Sequence, residues 1–196
     1  KKAASVKCVL AVAVLGTALL AQPAAAGQRP RASHGCAGAP AYGWLHTSGI
    51  WIVDDHGCRV RLESVNWFGM ETTNYVPDGL NVESYTAVLQ EIRRLGFNSV
   101  RLSFSEEMVR DNAKLVVKGG AIKDNPDLKG LHPLQVLDKL VAAARQTHLR
   151  LILDNHGSRA SSPQTSSIEP TWNYYTEQGW IEDWVTLAKR YRNDPT

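Results

Sequence analysis

"HPLQVLDKLVAAARQTHLRLILDNHG", residues 132–157, joins a helix to a strand in one run. Over residues 132–148, Leu134, Val136, Leu137, Leu140, Val141 and Ala144 recur at helical spacing and mark one buried face. "LRLILDNH" follows with no room for more than a tight turn, and its apolar run reads as a buried strand. The same succession stands earlier. Val82, Tyr85, Val88, Leu89, Ile92 and Leu95 predict a helix from Asn81 to Gly96, and "FNSVRLSF" (97–104) predicts the strand after it. A third helix is predicted over "GWIEDWVTLAKRYRNDPT" (179–196), where Trp180, Trp184, Leu187, Ala188 and Tyr191 recur.

Strands alternating with helices predict βα units and a parallel sheet. No G-x-G-x-x-G follows any of the strands, which argues against a dinucleotide-binding fold. Long polar loops follow the strands, one of nearly thirty residues after the strand ending at Phe104 and another over 157–171. Short turns follow the helices. That asymmetry predicts a closed α/β barrel whose chemistry lies at the C-terminal ends of its strands.

Upstream, "GIWIVDDHGCRVRL" (49–62) predicts a hairpin turning at Asp54–Gly57, and "ESVNW" continues into a further strand. Residues 27–42 read as a loose arm rich in Gly, Ala, Pro and Arg, and 43–196 as part of a barrel domain. Residues 1–26 read as a secretory signal, with Lys1, Lys2 and Lys7, the apolar run "VLAVAVLGTALL" and "AAA" at 24–26. The apolar run is too short to span a bilayer, so no membrane association is expected once the signal is removed.

The chain of 196 residues carries a formal charge of +3, but all three lysines of 1–26 leave with that segment. The remainder balances 19 basic against 19 acidic residues, without a polybasic patch, so no nucleic-acid partner is expected. An uncharged sugar suits this balance. Cys36 and Cys58 remain as an even pair in an exported chain, and a disulfide between them is the natural reading, with two free buried thiols as the other.

Two strand ends carry residues that a buried strand does not need. Arg101 sits inside the apolar "SVRLSF", where an unpaired guanidinium would be very costly. It either orients an active-site carboxylate or forms a structural ion pair. His156, ending "LILDNH", can donate or accept a hydrogen bond to a sugar hydroxyl, or can be a satisfied structural histidine. Asp154 can orient His156, cap the strand end or bind water. With no second His/Glu pair at ligand spacing, neither a metal nor another cofactor is expected. Trp67, Trp172, Tyr174 and Tyr175 stand after strand ends without helical periodicity and read as sugar-stacking residues or as core, Trp172 rather as sugar-stacking, whereas Phe68 reads as core. Asn155 is a further candidate for substrate contact, and Trp180 and Trp184 read as packing.

Taken in order, "GWLHTSG", "RLESVNWFGMET", "IRRLGFNSVRLSFS", "LQVLDKLVAAARQTHLRLILDNHG" and "LAKRYRNDPT" resemble glycoside hydrolase family 5, nearest to secreted bacterial endo-1,4-β-glucanases. The resemblance runs from about Gly43 to Thr196. It implies a (β/α)8 barrel that cleaves cellulose or a related β-glucan with retention of configuration, without a cofactor, as an extracellular monomer. Other β-glycan hydrolases of that family, mannanases and exo-glucanases, and a non-catalytic carbohydrate-binding protein are the alternatives. Arg101 matches the family's strand-two arginine beside the nucleophile, and His156 the strand-three histidine at the cleavage point. Asn81 stands where the nearest cellulases tend to carry a stacking tryptophan, and Ser103 replaces a common proline. The resemblance places the acid/base and nucleophile glutamates on strands four and seven, beyond Thr196. The 196 residues are therefore expected to be an N-terminal fragment, truncated before strand four and inactive alone, since such a barrel takes about 250 residues.

Overall fold

A computed structural model of the chain describes residue 36, residues 42–162 and residues 176–196. The predicted signal at 1–26, most of the arm at 27–42, and Trp172, Tyr174 and Tyr175 lie outside the described residues.

The first described elements are an antiparallel pair, β1 (Leu45–Ser48) and β2 (Trp51–Asp54). The hairpin therefore turns one strand earlier than the sequence predicts. Gly49, at φ +59°, supplies the left-handed conformation of a two-residue loop. Asp54–Gly57 does reverse the chain, but as an Asx turn: the Asp54 Oδ1 accepts from the backbone of His56 and Cys58, each at 2.9 Å. Beyond it only a single bridge, Val53 to Arg59, pairs back, so residues 59–62 are not a strand. Cys58 is joined to Cys36 by a disulfide, with Cα atoms 5.5 Å apart.

Three parallel strands follow in the order β3 (Ser64–Met70), β4 (Ser99–Ser105) and β5 (Arg150–Gly157). Each joining segment carries a helix, as parallel pairing requires. The first is α1 (Tyr85–Arg94), capped by the Ser84 hydroxyl, which accepts from the Ala87 N–H at 3.2 Å. It is shorter than predicted because residues 81–84 form turns around Gly79, leaving Val82 exposed rather than on the buried stripe. The segment after β4 is not a plain loop. It opens with α2 (Glu106–Arg110) and continues through three single 3₁₀ turns, burying Met108, Val109, Val117, Ile122 and Leu128. Turns of three to five residues are too short to show a period.

The helix α3 (Pro133–Gln146) buries the apolar face read from the sequence. Pro133 fits its first turn, where no N–H is needed, and the Gln135 side chain accepts from the His132 N–H at 2.8 Å. The helix α4 (Glu177–Tyr191) starts at Thr176, whose hydroxyl accepts from the Gly179 N–H at 3.1 Å.

Strand alternation divides the sheet. Val100, Leu102 and Phe104 are buried against the helices, and Phe104 meets the Trp184 ring edge-on at 5.5 Å. The opposite face carries Asn66, Phe68, Arg101, Ser103, Asp154 and His156. On the outer side of β5, the Thr196 carbonyl accepts from the Leu151 N–H at 2.8 Å.

Candidate active site at the strand ends

Arg101 lies mid-strand on β4, paired in register with Asn66 on β3 and Ile152 on β5. Its Nη2 donates to the Asp154 Oδ2 at 2.6 Å, and its Nη1 stands 3.5 Å from the Asn66 Oδ1. The His156 Nδ1 lies 2.9 Å from the same Asp154 oxygen and 3.4 Å from the Arg101 Nη2. The guanidinium and the imidazole predicted from two separate strands thus meet on one carboxylate. All three side chains are about one-third exposed, at 34, 27 and 31% for Arg101, Asp154 and His156. They are partly sheltered from water and still open to a ligand.

A second carboxylate sits beside this group. The Glu71 Oε2 accepts from the Gly69 N–H at 2.7 Å and from the Ser103 hydroxyl at 2.8 Å, and Ser103 is the register partner of Asp154. Gly69 is required here. At φ +128°, a Cβ would stand 2.5 Å from both the Asp78 nitrogen and the Val76 carbonyl oxygen. The loop after β3 is therefore drawn tightly over the strand end, and the Asp78 N–H donates to the Phe68 carbonyl at 2.9 Å. A cavity of about 580 Å³ opens in that loop, its polar lining supplied by Asn74, Asp78, Asn81 and Lys118.

Two predicted contacts are corrected. Trp67 is only 8% exposed, and its indole N–H donates to the Asp78 carbonyl at 2.9 Å, so its ring is core and offers no sugar a face. Its neighbour Phe68, read as core, is 50% exposed on the Arg101 side of the sheet. The available signal was parity: polar Asn66 and Phe68 share one face of β3, apolar Val65 and Trp67 the other. Asn155 is likewise on the wrong face. It pairs with buried Phe104, and its amide oxygen and nitrogen are shut from solvent with no hydrogen-bond partner.

Behind the strand ends lies a carboxyl that the sequence did not single out. Glu106, the first residue of α2, is fully buried and neither oxygen has a hydrogen-bond partner. Burial, with the nearby Asp183 carboxylate, pushes its pKa up to about 7 against the opposing pull of Arg110. Arg110 is held by Asp183, with both Nε and Nη2 3.2 Å from the Asp183 Oδ2. Among the described residues no cluster of His, Cys, Asp and Glu is disposed to bind a metal.

Comparison with known proteins gives a consistent result. The sequence profile described as Cellulase (glycosyl hydrolase family 5) matches residues 53–196. An endoglucanase of Paenibacillus polymyxa is 38% identical over 154 residues, covering 79% of this chain and 38% of that protein. The major extracellular endoglucanase of Xanthomonas campestris pv. campestris is 35% identical over 161 residues, 81% of this chain and 32% of its own length. The solved catalytic domain of the Xanthomonas enzyme superposes with a TM-score of 0.68 at 34% identity, covering 78% of this chain and 42% of that one. An endocellulase of Pyrococcus horikoshii, solved in complex with cellotetraose, superposes with a TM-score of 0.66 at 30% identity, over 80% of this chain and 42% of that one. The chain thus spans well under half the length of the relatives it matches.

Proposed function

Because the chain belongs to the cellulase family, glycosyl hydrolase family 5, and its parallel strands form the first part of a (β/α)8 barrel, we propose that the protein containing it hydrolyses β-1,4-glucosidic bonds in cellulose or a related β-glucan. The observation that carries this reading is the Arg101–Asp154–His156 group at the mouth of β4 and β5. In such barrels that end of the strands holds the chemistry.

Retaining hydrolysis needs one carboxylate to attack the anomeric carbon and one carboxylic acid to protonate the leaving oxygen, about 5–5.5 Å apart. We assign neither role to a residue of this chain. The pair is proposed to lie in the part of the family's domain that these 196 residues do not span. With Asp154 on one arm of the Arg101 fork and Asn66 beside the other, the held guanidinium steadies the attacking carboxylate as an ion and points it at the sugar. His156 presents its outer ring nitrogen to a hydroxyl of the sugar at the cleavage point. Phe68 offers the exposed aromatic face that Trp67 does not. Trp172, as a further sugar-stacking residue, and secretion by way of residues 1–26 belong to the same proposal, and the Xanthomonas relative is named as extracellular.

The test is turnover of carboxymethylcellulose and of mannan by the full-length product of the reading frame. Glucan hydrolysis that falls at least about 10²-fold in Arg101→Ala, with the unfolding temperature kept, is expected. Cleavage of mannan alone would move the assignment to the neighbouring activity. Binding of glucan without any turnover would make the protein a carbohydrate binder.

A further inference from the structure

Resting on that reading, we infer that Asp154 is the positioning residue of the site, fixing which nitrogen of His156 faces the sugar and which face of Arg101 is left for another partner. Two contacts converge on one ring nitrogen. The His156 Nδ1 is 3.4 Å from the Arg101 Nη2 and 2.9 Å from the Asp154 Oδ2. Both cannot be hydrogen bonds. If Nδ1 carries no proton it can accept from Arg101, but its lone pair then faces a carboxylate oxygen at 2.9 Å. If Nδ1 carries the proton it donates to Asp154, and the contact with Arg101 is only an approach of two donors.

Distance and charge decide. The Asp154 contact is the shorter by half an ångström, and its oxygen already accepts from the Arg101 guanidinium at 2.6 Å, the partner that suits a carboxylate. A charge-assisted bond at that length is roughly twice as strong as a neutral one, and a long approach to Arg101 cannot compete with it. His156 is therefore the Nδ1–H form. Its Nε2 is the atom turned to the mouth of the site, an acceptor when the ring is neutral and a donor when it is protonated.

The same oxygen acts on Arg101. By accepting from Nη2 it ties one arm of the fork to β5, and the approach of Asn66 to Nη1 steadies the other from β3. Rotation about the last side-chain bonds would break the Asp154 bond. Asp154 thus orients an arginine on its neighbouring strand and a histidine two residues along its own. Ser103, its register partner, is occupied with Glu71 and does not compete for it.

Long-range ¹H–¹⁵N correlation on ¹⁵N-histidine-labelled full-length protein tests this, with the His156 signals assigned by their loss in His156→Gln. The expected wild-type pattern is a protonated, pyrrole-type Nδ1. A pyridine-type Nδ1 with a protonated Nε2 overturns the inference, and this reading needs neither substrate nor a second variant. In Asp154→Asn, which keeps the shape but offers an N–H donor, the histidine is expected to lose that form. There kcat on glucan should fall about 10²-fold with KM and the unfolding temperature little changed. An unchanged tautomer with unchanged kcat in that variant also overturns the inference. The tautomer decides the role of Asp154, whereas turnover by the wild type decides the glucanase reading on which it rests.

Discussion

Replacing Glu106 by glutamine should flatten the dependence of stability on pH between about 4.5 and 7. The carboxyl is buried without a hydrogen-bond partner, and its pKa rises from 4.5 to about 7. Burial is the largest cause. The charge of Asp183 adds to it and that of Arg110 opposes it. Each pKa unit is worth about 1.4 kcal/mol, so ionising Glu106 in the folded state costs roughly 3 kcal/mol more than in the unfolded chain. The sign follows from proton binding. Between the two values the folded state holds the proton and the unfolded state has released it, so stability declines as pH rises, and the decline continues until the folded-state carboxyl itself ionises, above about 7. Glu106→Gln keeps a polar group in the same place, so the desolvation of a neutral group largely cancels and the slope is the cleaner measure. Asp183 is also raised, chiefly by its burial, and contributes a slope of the same sign to both proteins. Urea unfolding of the full-length protein at pH 5, 6, 7 and 8 reads the slope, with Trp184 on α4 as a nearby fluorophore. Equal slopes for the two proteins would mean that Glu106 is hydrated or paired in solution, and the reasoning would fail.

Three further outcomes follow from burial and covalent structure. Trp67→Phe removes the indole bond to the Asp78 carbonyl and should cost about 1 kcal/mol of stability while leaving the affinity for cello-oligosaccharides unchanged by calorimetry. Phe68→Ala, at a half-exposed position on the Arg101 face, should do the reverse, weakening oligosaccharide binding with little change in the denaturation midpoint. Replacing Cys36 and Cys58 together by serine removes a crosslink between positions 22 residues apart. It should lower stability by about 3 kcal/mol in the chain-entropy model, and an unchanged midpoint under reducing and oxidising conditions would contradict it.

The parallel sheet was legible because its helices are long enough to show a period. Leu134, Val136, Leu137, Leu140, Val141 and Ala144 are all buried on α3 as the spacing requires. Helix α2 was not legible, since five residues contain barely more than one turn and show no periodicity. The hairpin was misplaced because Asp54–Gly57 carries stronger turn chemistry than Gly49–Ile50. The chain turns at both places, yet only the earlier one joins two strands. Arg101 and His156 announced themselves as polar residues in apolar strands. The part taken by Asp154 did not, because an aspartate two residues before a histidine is equally a cap, a water ligand or an orienter until the distances are known.

The remaining errors share one cause, and it reaches the chemistry. In a strand the side chain's face is set by parity, so adjacent residues cannot both belong to the mouth of the site. Applied to β3, that rule puts Phe68 with Asn66 and sends Trp67 to the core. Applied to β5, it puts Asp154 with His156 and sends Asn155 toward the helices, across from Phe104. Among the described residues the two orphaned groups, the Asn155 amide and the Glu106 carboxyl, thus belong to the strand ends of β5 and β4 but not to the open face. An unsatisfied buried polar group costs about 1–3 kcal/mol, and nothing in the Arg101–Asp154–His156 group offsets it. On the open face, by contrast, the Asp154 and Glu71 carboxylates each have two hydrogen-bond partners. Among the described residues the unsatisfied buried side chains lie elsewhere, which is why the pH dependence of folding should follow Glu106 while the geometry of the site follows Asp154.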